Sequence, residues 1–247
     1  MGIWFFGPRK LFANSIKDEF LLLVLGILGG SLYYLAGNRA LELTQTSNVA
    51  LLACLSPLLT MGFGRFFLKS EAPKNPYLLK GSLLALGGVF LILFNGRYIL
   101  FLNPLGDFLS LLAALSWAFY MILLKRLGSA YSMLFITRKV FFYGIVSLLP
   151  FFIQDRQLIN WDLFFLGSVF ANLLYLGLIA SLVCYFLWNT AVKRLGALRA
   201  STYVYFSPVV TMIASALILG ETITPLALGG AFLILLGLAL AERQAGN

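Results

Sequence analysis

Phe20–Gly37 reads FLLLVLGILGGSLYYLAG, 18 residues without a charge. A helix needs about 20 mainly apolar residues to cross the hydrocarbon of a bilayer. Asp18 and Glu19 close this run on one side and Arg39 on the other, so it has both the length and the boundaries of a span. A helix satisfies its own backbone polar groups, which lipid cannot do. The run lacks the apolar/polar alternation of a barrel strand.

Seven more such segments follow. They are Thr46–Gly64, Gly81–Asn95, Phe108–Leu124, Met133–Ile153, about 167–190 within Leu163–Val192, Ala200–Leu219 and Leu226–Ala241. Lys80 and Arg97 can extend the short third segment by snorkelling. The fifth is the hardest to place, because Arg138 and Lys139 lie near its start and Pro150 near its end. Apolar residues make up 61% of the 247 and charged residues 11%. Soluble domains carry about 25% charged residues, so this chain needs lipid as its solvent. The fold class expected is an all-α polytopic transmembrane bundle of about eight helices.

The net charge of +9 does not point to nucleic acid, because the basic residues sit in small groups between uncharged stretches. They set orientation instead. With the N-terminus in the cytoplasm, only Arg39, Arg97 and Arg156 fall outside, and the other fifteen of the 18 fall inside. That satisfies the positive-inside rule, with both termini cytoplasmic in the cell (inner) membrane. Trp161 reads as an interface anchor.

Histidine is absent, which removes Ser-His-Asp and Cys-His nucleophiles and His-ligated zinc. There is no Walker A loop. Cys54 and Cys184 lie in apolar stretches and read as small buried residues. No metal, cofactor or disulfide framework is expected. With no paired carboxylates in mid-membrane, neither an intramembrane enzyme nor a carboxylate proton relay is supported.

The chain repeats itself. Tyr34, Asn38 and Ser56-Pro57 recur 151 residues later as Tyr185, Asn189 and Ser207-Pro208. Glu71 recurs as Glu221, and Gly81/Gly88 as Gly230/Gly237, with the offset drifting only in loops. Matching helices lie five spans apart, an odd number, so the copies enter the membrane from opposite sides. That is an inverted-topology repeat, a plan of secondary transporters with the solute site near the midplane. The copies divide the chain into 1–97, with three helices, and 98–247, with five. The second copy has two helices, 108–124 and 133–153, without counterparts in the first. This predicts a ten-helix design lacking its first two helices, or an eight-helix form completed as a homodimer.

At Gly106–Tyr120 (GDFLSLLAALSWAFY), Tyr185–Ala191 (YFLWNTA), Ser207–Val210, Leu219-Gly220-Glu221 and the Gly230/Gly237 pair, the chain resembles the EamA-type family of the drug/metabolite transporter superfamily. Tyr34, Ala40, Ser56-Pro57-Leu58 and Glu71 echo it in the first half. The resemblance implies a helical basket of two five-helix repeats that moves amino acids or other small metabolites, often outward. The departure from the pattern is the missing first helix pair.

The partners expected are the lipid bilayer and a small-molecule solute. Asn172, Tyr175, Tyr185, Trp117, Tyr120, Tyr203, Asn38 and Asn189 are the cavity residues expected. The aromatics serve either an amphipathic cavity or packing. Asn38 and Asn189 serve either the cavity mouth or helix caps and interhelical bonds, whereas Asn172 lies within a span and is the better cavity candidate, because a buried amide in lipid needs a partner. Ser56-Pro57 and Ser207-Pro208 mark hinges or ordinary kinks, since proline frees a backbone carbonyl. Glu71 and Glu221 read as gate or cap. Gly26-x-x-x-Gly30 permits close helix contact. The leading function is a secondary transporter or exporter working by alternating access. The alternative is a non-transporting subunit or pseudo-transporter.

Overall fold

The computed structural model describes residues 11–68, 76–94, 103–154, 166–220 and 222–243. Eight helices among them are long and apolar enough to cross a membrane. They are α1 (Ile16–Leu43), α2 (Thr46–Phe67), α3 (Pro76–Leu93), α4 (Pro104–Gly128), α5 (Met133–Phe151), α6 (Gly167–Leu195), α7 (Ala197–Ile218) and α8 (Pro225–Glu242). The described residues contain no strand.

Several helices begin earlier than hydropathy alone suggests, because polar caps set their starts. Ser15 accepts the Asp18 N–H at 3.1 Å, and Asp18 and Glu19 occupy the first turn of α1, where negative charge is favourable. Asn103 accepts the Gly106 N–H at 3.0 Å ahead of α4. Thr224 accepts the Ala227 N–H at 3.2 Å ahead of α8. Pro76, Pro104 and Pro225 open α3, α4 and α8, where the missing N–H would have had no helical partner anyway. Gly196, at φ 89°, joins α6 to α7, and Gly220, at φ 68°, follows α7 in the left-handed conformation that glycine tolerates. Helices α1 and α6 each widen into π-helical turns, at Ile27–Leu32 and Tyr175–Val183. These segments overlap in the repeat register. Such turns cluster at functional sites.

The chain forms two compact units. The first comprises Met1–Ser31 and Leu123–Arg194. Within it the first half of α1 packs on α5 at very short range. A Cβ on Gly26 would lie 2.6 Å from the Tyr143 Cβ, and one on Gly30 would lie 3.2 Å from the Gly144 Cα. The Ser31 and Ser147 hydroxyls meet at 2.8 Å. Lys139, which made α5 hard to place, is buried in an ion pair with Glu19 of α1, and the Tyr143 hydroxyl donates to the same carboxylate. The rings of Phe12 and Tyr143 lie 4.9 and 5.3 Å from the ammonium. A charge this deep persists only because it is paired.

The second unit comprises Leu32–Ile122 and Leu195–Asn247. Its spine is the antiparallel pair α3 and α8. A Cβ on Gly81 would strike the carbonyl oxygen of Gly237, and one on Gly237 that of Gly81. Gly88 and Gly230 are related in the same way. The earlier glycine of one helix meets the later glycine of the other, which is the reciprocity of a local two-fold axis. Around the spine, Cys54, Ala85, Val89, Tyr205, Val209, Ala231 and Ile234 form one buried cluster. It holds two matched pairs of the repeat register, Cys54 with Tyr205 and Ala85 with Ile234.

Candidate functional site

Both α2 and α7 break at the same point of the repeat. The helix Thr46–Ala53 stops, Cys54 and Leu55 form a tighter turn, and helix resumes at Ser56 with Pro57 in its first turn. In α7 the helix Ala197–Thr202 passes through a 3-10 turn at Tyr203–Phe206 and resumes at Ser207 with Pro208 in its first turn. The cause is local. Proline brings no N–H for the carbonyl four residues back, so the preceding turn tightens to supply one from nearer by. Here the Ser207 N–H reaches the Val204 carbonyl, the one that Pro208 leaves unserved.

Beside these breaks lies a cavity of about 540 Å³, built wholly by the second unit. Helix α1 contributes Tyr33 to its wall, and α2 contributes Thr46, Ser47, Ala50, Ala53 and Cys54. Ile92 and Leu93 come from the end of α3, and Thr222, Ile223 and Ala227 from the approach to α8 and its first turn. Helix α7 gives the largest share, with Val204, Ser207, Pro208, Thr211, Met212 and Ser215. Ser207, Thr211 and Ser215 are four residues apart and therefore line one helix face with hydroxyls. Their matches in the first copy are Ser56, Thr60 and Gly64, and there the Thr60 hydroxyl turns back onto the Ser56 carbonyl at 2.7 Å. The cavity is therefore one-sided. Among the described residues, no lining side chain carries a charge.

Of the residues singled out from sequence, Ser207 and Pro208 line this cavity. Trp117 stands behind the wall, its ring 5.1 Å from that of Tyr33, and Tyr120, fully buried, stacks on Trp117 at 5.2 Å. Ser56 and Pro57 are buried at the matching break. Asn38 is exposed on α1. Tyr203 is exposed, and its hydroxyl donates to Glu242 at 3.0 Å.

Four other sequence-derived residues belong to the first unit. Tyr185 is buried and donates to the Gly29 carbonyl within the π-helical turn of α1. Asn189 is fully buried and donates to the Thr137 hydroxyl at 2.9 Å. Asn172 and Tyr175 are exposed on α6. Glu71, Glu221 and Trp161 lie outside the described residues. Sequence reasoning passed over Tyr33 and the Ser207/Thr211/Ser215 stripe; the signal for the stripe was its four-residue spacing.

The first unit also holds a polar cluster of its own. The Tyr131 hydroxyl donates to Asp18 at 2.7 Å and accepts the Asn14 N–H at 2.9 Å. Tyr131 lies between α4 and α5. Burial pushes its phenol above the ordinary value, and the hydrogen bond to Asp18 raises it further.

The profile of the EamA-like transporter family matches residues 1–94 and 104–242. An uncharacterized transporter of Archaeoglobus fulgidus is 29% identical over 220 residues, covering 88% of this chain and 74% of that protein. The uncharacterized transporter YyaM of Bacillus subtilis is 29% identical, over 89% of this chain and 70% of its own length. A probable amino-acid metabolite efflux pump of Escherichia coli is 30% identical over 65% of this chain, which spans 56% of that pump. A solved structure, titled only as the crystal structure of a protein, superposes with a TM-score of 0.75 at 19% identity, covering 93% of this chain and 77% of that one, and so shares the fold. With eight apolar helices and a family match over nearly its whole length, this chain belongs to the EamA-like transporter family of multi-pass membrane proteins that carry small metabolites.

Proposed function

We propose that this protein is a secondary exporter, not an enzyme, and that it works by alternating access with its solute in the cavity between the broken helices α2 and α7. The observation that carries the reading is the pair of matched breaks flanking a hydroxyl-lined space. Irregular backbone at membrane depth is tolerated where it lines a cavity, and transporters place solute sites at such interruptions. Residues 1–97 and 98–247 act as two opposed copies, and the breaks before Pro57 and Pro208 act as their hinges. The reciprocal glycine contacts of α3 and α8 support that division. Positive charge on one side supports a cell-membrane protein with both termini in the cytoplasm. The name of the Escherichia coli relative supports an amino-acid metabolite or related solute, moved outward.

Efflux from cells loaded with labelled metabolites tests this. Ala50→Phe fills the cavity from a lining position. Efflux is expected to fall at least tenfold at equal membrane abundance, while Leu217→Phe, on an exposed apolar position, leaves it unchanged. Efflux indifferent to Ala50→Phe would remove the cavity from the pathway.

A further inference from the structure

We infer that the cavity takes an uncharged solute with hydrogen-bonding groups on one edge and an apolar body, and that it discriminates against free zwitterionic amino acids. The inference rests on the reading of this cavity as the solute site, and it narrows the class of solute. At about 540 Å³ the space falls within the roughly 300–1,000 Å³ range of small-molecule sites. Ser207, Thr211 and Ser215 present a row of hydroxyls along one face of α7. A hydroxyl both donates and accepts, so the row suits an amide, lactam, ester or alcohol in either sense. Ala53, Ile92 and Met212 supply apolar wall.

A full charge fares differently. Taken out of water it needs an opposite charge or a complete set of hydrogen bonds. No described lining residue offers a charge. The restarted helix at Ser207 is also a poor carboxylate site. The Ser207 N–H is bound to the Val204 carbonyl, and Pro208 has none. The first turn thus lacks two of the donors that make a helix start attract anions.

The test uses one skeleton in four charge states, with the purified full chain in nanodiscs at neutral pH. Calorimetry compares N-acetylleucinamide (uncharged), leucine (zwitterion), leucinamide (cation) and N-acetylleucine (anion), and repeats the set with phenylalanine. The uncharged form of at least one set of four is expected to bind at least tenfold more tightly than its three charged relatives. Ala53→Phe is expected to abolish that binding, and Thr211→Asp to improve leucinamide binding at least tenfold. A leucine or leucinamide affinity equal to that of the uncharged form overturns the inference. If the charged binding disappears in Glu221→Gln, a carboxylate outside the described residues is its source, and the inference is equally overturned. Binding by none of the eight compounds also overturns it. Leucine efflux that Ala53→Phe abolishes would leave the exporter reading standing while this inference falls. Efflux and binding both indifferent to Ala53→Phe would end both.

Discussion

At the scale of single residues, several buried polar side chains find partners far off in sequence, with Lys139, Tyr185 and Asn189 as examples. Lys139 sits inside a span with 7% of its side chain exposed, and its counter-charge Glu19 is 120 residues away. Removing one partner strands the other charge in a poorly solvated place. Glu19→Gln should therefore lower stability by about 3 kcal/mol. The double change Glu19→Gln with Lys139→Met should recover most of that loss, because no orphaned charge remains. Thermal unfolding in detergent measures both, and a double variant no more stable than Glu19→Gln would contradict the rescue. Arg138 and Lys139 were legible as an anomaly in an apolar segment, but the pairing of Lys139 with Glu19 was not, because a one-dimensional pattern does not show which distant carboxylate packs alongside. Tyr185 and Asn189 show the same limit. Their repeat register singled them out, whereas only the fold shows that the Gly29 carbonyl and the Thr137 hydroxyl receive their hydrogen bonds.

At the scale of helices, hydropathy located each of the eight membrane-length helices among the described residues, and local caps then adjusted the starts. The glycines of α3 and α8 were visible as a repeating pair, but their reciprocal contact is a property of the packed helices. Gly88 and Gly229 make a sharp comparison. A Cβ on Gly88 would meet the Gly230 carbonyl and the Ile234 side chain, whereas one on Gly229 meets nothing within 4 Å. Gly88→Val should cost about 3 kcal/mol or prevent folding, because backbone cannot yield as a flexible side chain does. Gly229→Ala should be neutral or stabilising by up to about 1 kcal/mol, since alanine favours the helix. Melting temperatures of the two variants decide this, and comparable losses would refute the close backbone packing. The prolines of α2 and α7 were likewise legible as interruptions. The hydroxyl stripe beside Pro208 was not singled out, because serine and threonine carry little signal until the helix face they share is known to border a cavity.

At the scale of the whole molecule, the account depends on two copies of one three-helix unit threaded through the membrane in opposite senses. The five-span separation of matched motifs and the one-sided basic residues both follow from sequence. The antiparallel packing of α3 on α8 adds a structural reason. The most direct test labels single cysteines at the starts of these two helices, in a background with Cys54 and Cys184 replaced by alanine. Tyr77→Cys begins α3 and Thr222→Cys precedes α8. In intact cells a membrane-impermeant maleimide should label the cysteine at 222 and leave that at 77 unlabelled until the membrane is permeabilised. Labelling of both positions from the same side would contradict the opposed copies and, with them, the carrier built on them.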